Sequence, residues 1–288
     1  MIPMLNMNNA SRARFAGYGG FLQDFQDSMR FFVLTLVTAA APVFGQSPTT
    51  VASPAPSPST VVSPAPSLSP PEAGTYFSCH VDGPYIAMTF DDGPRPGTTT
   101  RLLDILKERN IKATFFMIGP NVVAHPEIAR RVIAEGHEIG NHSWTHPQLS
   151  KLSDQWVTEE ITKTQEAIKN ACGFTPMIMR PPYGAITKRQ REWIEKQFGL
   201  SVIMWSVDTN DWRRPGASVI SRRVINGARP GAIILQHDIH EQTVDAMPAA
   251  LDGLLAKGYK FVTVSELIAM NHSNPSPAPT AASPASGK

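Results

Sequence analysis

From residue 72 to residue 270, short apolar runs alternate with segments whose apolar residues recur at helical spacing. Residues 85–90 read as a buried strand. Leu102, Leu103, Ile105 and Leu106 predict a helix over 98–109 that ends near Asn110. A second strand is expected at 113–118. Pro126 suits the first turn of a helix that Gly136 closes, and a short strand at 138–140 follows. Residues 154–170 form a long amphipathic pattern, then a strand at 177–179. Thr187 with Gln190 makes a capping box for a helix that Gly199 ends. Strands at 201–205, 232–235 and 261–264 alternate with helices at 218–225 and 244–257.

Strands alternating with helices predict an α/β fold with a parallel sheet covered on its faces. The choice lies between an open doubly wound sheet and a barrel. Asp91, Asp92, Asn141, His142, Arg180, Asp208 and His237 each fall at or just after the C-terminal end of a predicted strand. Many strands feeding one mouth is the habit of a β/α barrel, whereas an open sheet draws its site mainly from the switch point. No glycine fingerprint for a nucleotide is present.

The ends of the chain have a different texture. Residues 31–41 (FFVLTLVTAAA) have the length of a signal-peptide apolar region, Arg30 precedes them, and Val43-Phe44-Gly45 offers a cleavage site before Gln46. Residues 1–45 are therefore expected to be leader and signal peptide, with Met29 as a conventional start. Residues 46–71 and 271–288 are rich in Pro, Ser and Ala and are expected to be disordered flanks, the first a linker. They leave one domain over 72–270, expected to be exported to face the periplasm, the cell wall or the exterior. No apolar run reaches the roughly 18–20 residues of a membrane-spanning helix.

Composition narrows the classes further. With 288 residues and 42% hydrophobic content the chain can bury a core, and 12 of its 26 prolines are concentrated in the two short flanks. A net charge of +2 gives no reason to expect a nucleic-acid partner, and a monomer is expected. Two cysteines, Cys79 and Cys172, are too few for a disulfide scaffold or a cysteine-based zinc site. After export, a bridge between them and two separate thiols are both open.

Asp91 and Asp92 are neighbours leaving a strand, so their carboxylates point in different directions, one free to face a metal and the other a water. Alone, such a run also describes a surface turn. His142 and His146 stand at i and i+4, which on a helical turn places two imidazoles on one face. Two hydrogen-bonded histidines are the alternative for that pair. Two His and one Asp fit a three-ligand catalytic metal with an open water position, zinc being the default ion and cobalt or another divalent ion an alternative. A hydrolase of this kind needs a base and an acid. Asp91 is the natural base and His237 the natural acid. Arg180, at the rigid Pro181-Pro182 corner, is placed to hold Asp91 ionised, and a carboxylate from Asp208 or Asp211 to set the His237 tautomer. Trp212 offers a sugar-stacking surface or ordinary core packing.

Taken together, these residues resemble the NodB-like polysaccharide deacetylases, carbohydrate esterase family four. Five motifs occur in order: Thr89-Phe90-Asp91-Asp92-Gly93, His142-Ser143-Trp144-Thr145-His146, Arg180-Pro181-Pro182-Tyr183-Gly184, Asp208-Thr209-Asn210-Asp211-Trp212 and Leu235-Gln236-His237. The resemblance covers nearly all of residues 85–267. It implies a distorted (β/α)7 barrel and metal-dependent removal of N-acetyl groups. Asp92, His142 and His146 would be the metal ligands, Asp91 the base oriented by Arg180, and His237 the acid tuned by Asp211. The Tyr183 backbone N–H would complete an oxyanion site, and Trp212 and Leu235 would wall the acetyl methyl. Peptidoglycan N-acetylglucosamine is the favoured substrate, with chitooligosaccharide and acetylated xylan as alternatives. A non-catalytic wall-binding module would be expected to lack a ligand or the acid. A small-molecule amidase would need a closed cavity.

Overall fold

The computed structural model describes residues 73–272. The expected leader, the start at Met29, the linker and residues 273–288 of the tail lie outside the described residues. Among the described residues no helix is long and apolar enough to cross a membrane.

Nine strands occur among these residues: β1 (Thr75–Tyr76), β2 (Tyr85–Asp91), β3 (Thr114–Met117), β4 (Glu138–Asn141), β5 (Ile178–Met179), β6 (Ser201–Ile203), β7 (Val207–Asp208), β8 (Ile233–His237) and β9 (Lys260–Phe261). The helices are α1 (Thr98–Glu108), α2 (Gly119–Ala124), α3 (Pro126–Ala134), α4 (Asp154–Cys172), α5 (Lys188–Phe198), α6 (Ala217–Gly227), α7 (Glu241–Ala256) and α8 (Val264–Ala269). Strand neighbours run β1-β6-β5-β4-β3-β2-β8-β7, with β9 added beside the start of β2, and every ladder is parallel. The curled sheet with its surrounding helices is a distorted β/α barrel that does not close, because β1 and β7 end the path without pairing.

The central strand explains why the fold holds a site. In β2, Ile86 to Phe90 are fully buried, and the strand pairs with β3, β8 and β9. On one side Ile86, Met88 and Phe90 pack with Leu102, Leu103 and Leu106 of α1 and with Met247 and Leu251 of α7. On the other, Ala87 packs with Phe116, Ile203 and Ile233. A strand buried on both faces can present polar chemistry only at its end, and the end of β2 is Asp91.

Local signals fix several boundaries. Ser153 caps α4 by accepting the Trp156 N–H, and Gly173 ends that helix in the left-handed conformation. The Thr187–Gln190 capping box forms as expected, and Gly199 closes α5. The strand expected at 261–264 stops at Phe261, because Thr263 and Glu266 form a second capping box that starts α8 at Val264. The strand expected at 201–205 ends at Ile203, and β7 crosses to the far edge of the sheet to pair with β8. Two-residue strands such as β1 and β7 are too short to show alternation, so the pattern implied seven strands rather than nine. Cys79 and Cys172 are separate thiols, the first buried and the second half-buried.

Candidate active site

The site is assembled at the C-terminal ends of the strands. Asp91 closes β2 and stands in register with His237 at the end of β8. Asp92 leaves the strand at φ +75°, which turns its carboxylate away from that of Asp91. The two neighbouring acids therefore meet different partners.

Asp91 is buried against Arg180, whose guanidinium is fully buried. Arg180 Nη1 donates to Asp91 Oδ1 at 2.8 Å and to Thr89 Oγ1 at 2.7 Å. Its Nε donates to the Ile203 carbonyl at 3.2 Å and its Nη2 to the Met204 carbonyl at 3.0 Å. The guanidinium also lies 4.2 Å from the centre of the Phe116 ring. A planar fork bonded on several sides has one orientation, so it fixes the carboxylate it holds. Burial opposes the charge on Arg180, and Asp91 is the anion that offsets it.

Asp92 faces the two histidines. Its Oδ1 lies 3.4 Å from His142 Nε2 and 3.2 Å from His146 Nε2. His142 Nδ1 lies 2.8 Å from the Arg180 carbonyl, to which it must donate, so the neutral ring carries its lone pair on Nε2. His146 Nδ1 is held by the Tyr183 hydroxyl at 3.1 Å. Asp92 Oδ1 is buried and finds no hydrogen-bond partner among the described residues. Electron-rich atoms thus converge on one point, where a divalent cation would satisfy them all. Asp92, His142 and His146 form the cluster able to hold a metal ion among the described residues.

The i, i+4 spacing of the histidines works differently from the helical turn expected. Residues 142–146 are a loop in which Ser143 (φ +66°) and His146 (φ +58°) are both left-handed, and the two rings meet edge to face at 5.0 Å. Glu160 of α4 holds that loop. Its Oε2 accepts the Trp144 N–H at 2.8 Å and the Thr145 N–H at 2.7 Å, and its Oε1 accepts the Thr145 hydroxyl at 2.7 Å. Asn141 adds a bond from the Ser143 N–H to its Oδ1 at 2.8 Å. Left-handed non-glycine residues recur at Asp92, Ser143, His146, Tyr183, Asn210 and Arg214, all in the loops around this mouth, with only Asn110 elsewhere among the described residues. Such backbone costs of order 1–3 kcal/mol each and is characteristic of functional loops.

His237 meets Asp211 rather than Asp208. Asp211 is fully buried and its Oδ1 lies 2.9 Å from His237 Nδ1. Its Oδ2 accepts the His237 backbone N–H and the Thr243 hydroxyl, each at 2.7 Å. Burial alone would depress the imidazole, but the Asp211 bond and charge, with smaller contributions from Asp91 and Asp92, push it up to about 9. Asp208 is exposed and accepts the Asn210 N–H at 2.7 Å, so it shapes its own turn. Leu235 is buried in β8, whereas Trp212 is exposed, with Arg213 4.5 Å above its ring. Beside the cluster runs an open cavity of about 350 Å³ lined by Asp92, Arg95, Asn121, His125, His146 and Ile239, among others.

Residues 80–203 match the family model for polysaccharide deacetylases. The chitooligosaccharide deacetylase of Bradyrhizobium is 39% identical over 197 residues, covering 63% of this chain and 90% of that protein. The chain belongs to the polysaccharide deacetylase family. Among its relatives, the peptidoglycan-N-acetylglucosamine deacetylase PgdA of Listeria monocytogenes is 47% identical over 182 residues, or 63% of this chain. The match spans 38% of the length of that relative. A solved peptidoglycan N-acetylglucosamine deacetylase, in complex with a substituted N-hydroxybenzamide, superposes with a TM-score of 0.65 at 38% identity, covering 68% of this chain and 92% of that one.

Four residues of this deacetylase-family site were not singled out from the sequence: Thr89, Glu160, Thr243 and Asp238. Glu160 did leave a trace, being an acid among Val157, Ile161 and Thr164 on the buried face of α4. Asp238 follows His237 and packs under the first motif loop. A Cβ on Gly93 would lie 2.6 Å from its Oδ2, so only glycine fits there.

Proposed function

We propose that this chain removes N-acetyl groups from N-acetylglucosamine units of peptidoglycan, acting outside the cytoplasm and releasing acetate. The observation that carries this reading is the juxtaposition at the ends of β2 and β8. Asp91 on its arginine and His237 on its aspartate stand in register, with the Asp92–His142–His146 cluster beside them.

A divalent cation held by Asp92, His142 and His146, zinc by the preference of a two-His, one-carboxylate donor set, supplies Lewis acidity toward the amide carbonyl and a more acidic water. Asp91, oriented by Arg180, accepts the proton of the attacking water. The Tyr183 backbone N–H donates to the carbonyl oxygen as it gains negative charge. His237, protonated through its pairing with Asp211, gives its proton to the leaving nitrogen, so that water and amide become acetate and a free amine. Trp212, exposed beside this pair, stacks on the sugar face, and with Leu235 bounds the acetyl methyl.

The likeness to the Bradyrhizobium protein supports chitooligosaccharide as a second substrate reading. Acetate release by the full chain with added zinc tests both. Peptidoglycan strands, chitooligosaccharides and acetylated xylan are compared, with a chelator control. Chelator-sensitive release from the amide substrates, faster on peptidoglycan, is expected. Release from xylan alone would overturn the substrate class, and no release with zinc bound would overturn the activity.

A further inference from the structure

The mouth of the site carries positive charge for which a neutral sugar has no use. Arg95, in the loop after β2, lines the cavity beside Asp92 and His146. Its Nη1 donates to the Ile239 carbonyl at 2.8 Å, which pins one edge of the fork and leaves its other N–H donors available. Arg213 lies over the Trp212 ring, and Arg214, at φ +53°, donates its backbone N–H to the Asp211 carbonyl at 2.7 Å. None of these three guanidinium groups has a carboxylate partner among the described residues. On the outer helices, Arg101, Arg109, Arg131 and Arg189 form ion pairs with Asp or Glu, while Arg130, Arg191, Arg222 and Arg223 have no carboxylate partner among the described residues either, so it is the place of the three at the mouth that sets them apart. The acids near the mouth are engaged elsewhere: Asp92 with the two histidines, Asp208 with its own turn, and Glu127 3.7 Å from His125.

We infer that Arg95, together with Arg213 and Arg214, selects a glycan whose sugars next to the reacting N-acetylglucosamine carry carboxylates. The inference rests on the deacetylase reading above and deepens it. In peptidoglycan the neighbours of each N-acetylglucosamine bear a lactyl carboxylate or a peptide ending in one. In chitooligosaccharides every unit is neutral. A guanidinium fork pinned at one edge by a backbone carbonyl binds a carboxylate with little further ordering. The arginines come from the loops after β2 and after β7, one beside the metal cluster and the others beside the His237–Asp211 pair. They are therefore placed for the neighbours of the reacting sugar and not for its acetamide.

The test uses the zinc-loaded full chain and three substrates of equal length: glycan strands with free carboxylates, the same strands with those carboxylates amidated, and a chitooligosaccharide. The quantity read is the ratio of kcat/KM for the free-acid strand to that for the amidated strand. In the wild type at low salt this ratio is expected to be about threefold to tenfold, set by KM, and to fall toward one near 1 M salt. Arg95→Gln is expected to lower it about twofold to fivefold, Arg95→Lys to keep most of it, and the triple glutamine variant at 95, 213 and 214 to abolish it. A wild-type ratio near one, or variants that slow both strands equally, would overturn the inference while acetate release from all three substrates left the deacetylase reading standing. No release from any substrate, the chitooligosaccharide included, would remove both.

Discussion

Asp211 grips His237 at two points, ring Nδ1 at 2.9 Å and backbone N–H at 2.7 Å, with the two oxygens of one fully buried carboxylate. The ring can then neither turn nor move along β8, and its proton is held against the opposing effect of burial. An acid must be protonated to act, so activity is expected to fall as pH rises through the His237 pKa, which lies above neutrality at about 9. Asp211→Asn removes the cause that raises the imidazole and leaves the burial that lowers it. The alkaline limb of the pH–rate profile should move to lower pH, and kcat should fall by about 10²–10⁴. A limb that stays in place in Asp211→Asn would show that another group is the acid.

Arg180 is the largest fully buried side chain and holds Asp91 Oδ1 at 2.8 Å, while Asp91 Oδ2 lies 3.7 Å from His142 Nε2. Replacing it by Met strands a buried carboxylate, which costs about 3–5 kcal/mol. Arg180→Lys keeps the charge but cannot reach Thr89, Asp91, Ile203 and Met204 together, so it should recover only part of that loss. Urea midpoints of the two variants against wild type measure this. A loss below 1 kcal/mol in Arg180→Met would mean that Asp91 is protonated or solvated.

Glu160 acts on the candidate ligands through the loop between them, and Tyr183 bonds one of them directly. Glu160 ties down Trp144 and Thr145 between the two histidines, and the Tyr183 hydroxyl orients the His146 ring. Loss of such supports typically weakens metal affinity about tenfold to a hundredfold. Glu160→Ala and Tyr183→Phe are each expected to do so, read by competition with a chromogenic zinc chelator. Asp92→Ala should abolish binding, and His237→Ala should bind zinc normally while losing most turnover. Normal zinc binding in Asp92→Ala would place the metal elsewhere.

How far the sequence reached depended on whether a feature was local. The alternation of β2 to α5, the capping box at Thr187 and the strand-end positions of Asp91, Asp92, His142, Arg180 and His237 depend on neighbours within a few residues, and they were legible. The i, i+4 histidines suggested a helix because spacing alone does not record that Ser143 and His146 take positive φ. That loop is set by Glu160, and the contact exists only once α4 has packed. Which aspartate holds His237 could not be read from residues 208–211 by chemistry alone. It was decided by Asn210 turning the chain so that Asp208 bonds its own loop and Asp211 is buried beneath β8.

Asp238 extends the same argument to stability. It is fully buried, accepts the Thr99 hydroxyl on Oδ2, and leaves Oδ1 without a partner among the described residues. Burial first, and then the charges of Asp92 and Asp91, push its carboxyl up to about 7 against the Thr99 bond. An unfolded Asp titrates near 3.9, so the folded state binds this proton more tightly than the unfolded one. The sign follows: stability from this group is greatest below about pH 4, declines as pH rises, and is fully lost above about 7. Asn is a neutral match in shape and can still accept from Thr99. Asp238→Asn should therefore gain on the wild type steadily between pH 4 and pH 7, measured as urea midpoints in chelator-treated protein. If the wild type gained instead, Asp238 would be ionised in the fold, and the contact that holds Gly93 against it would be a charged one.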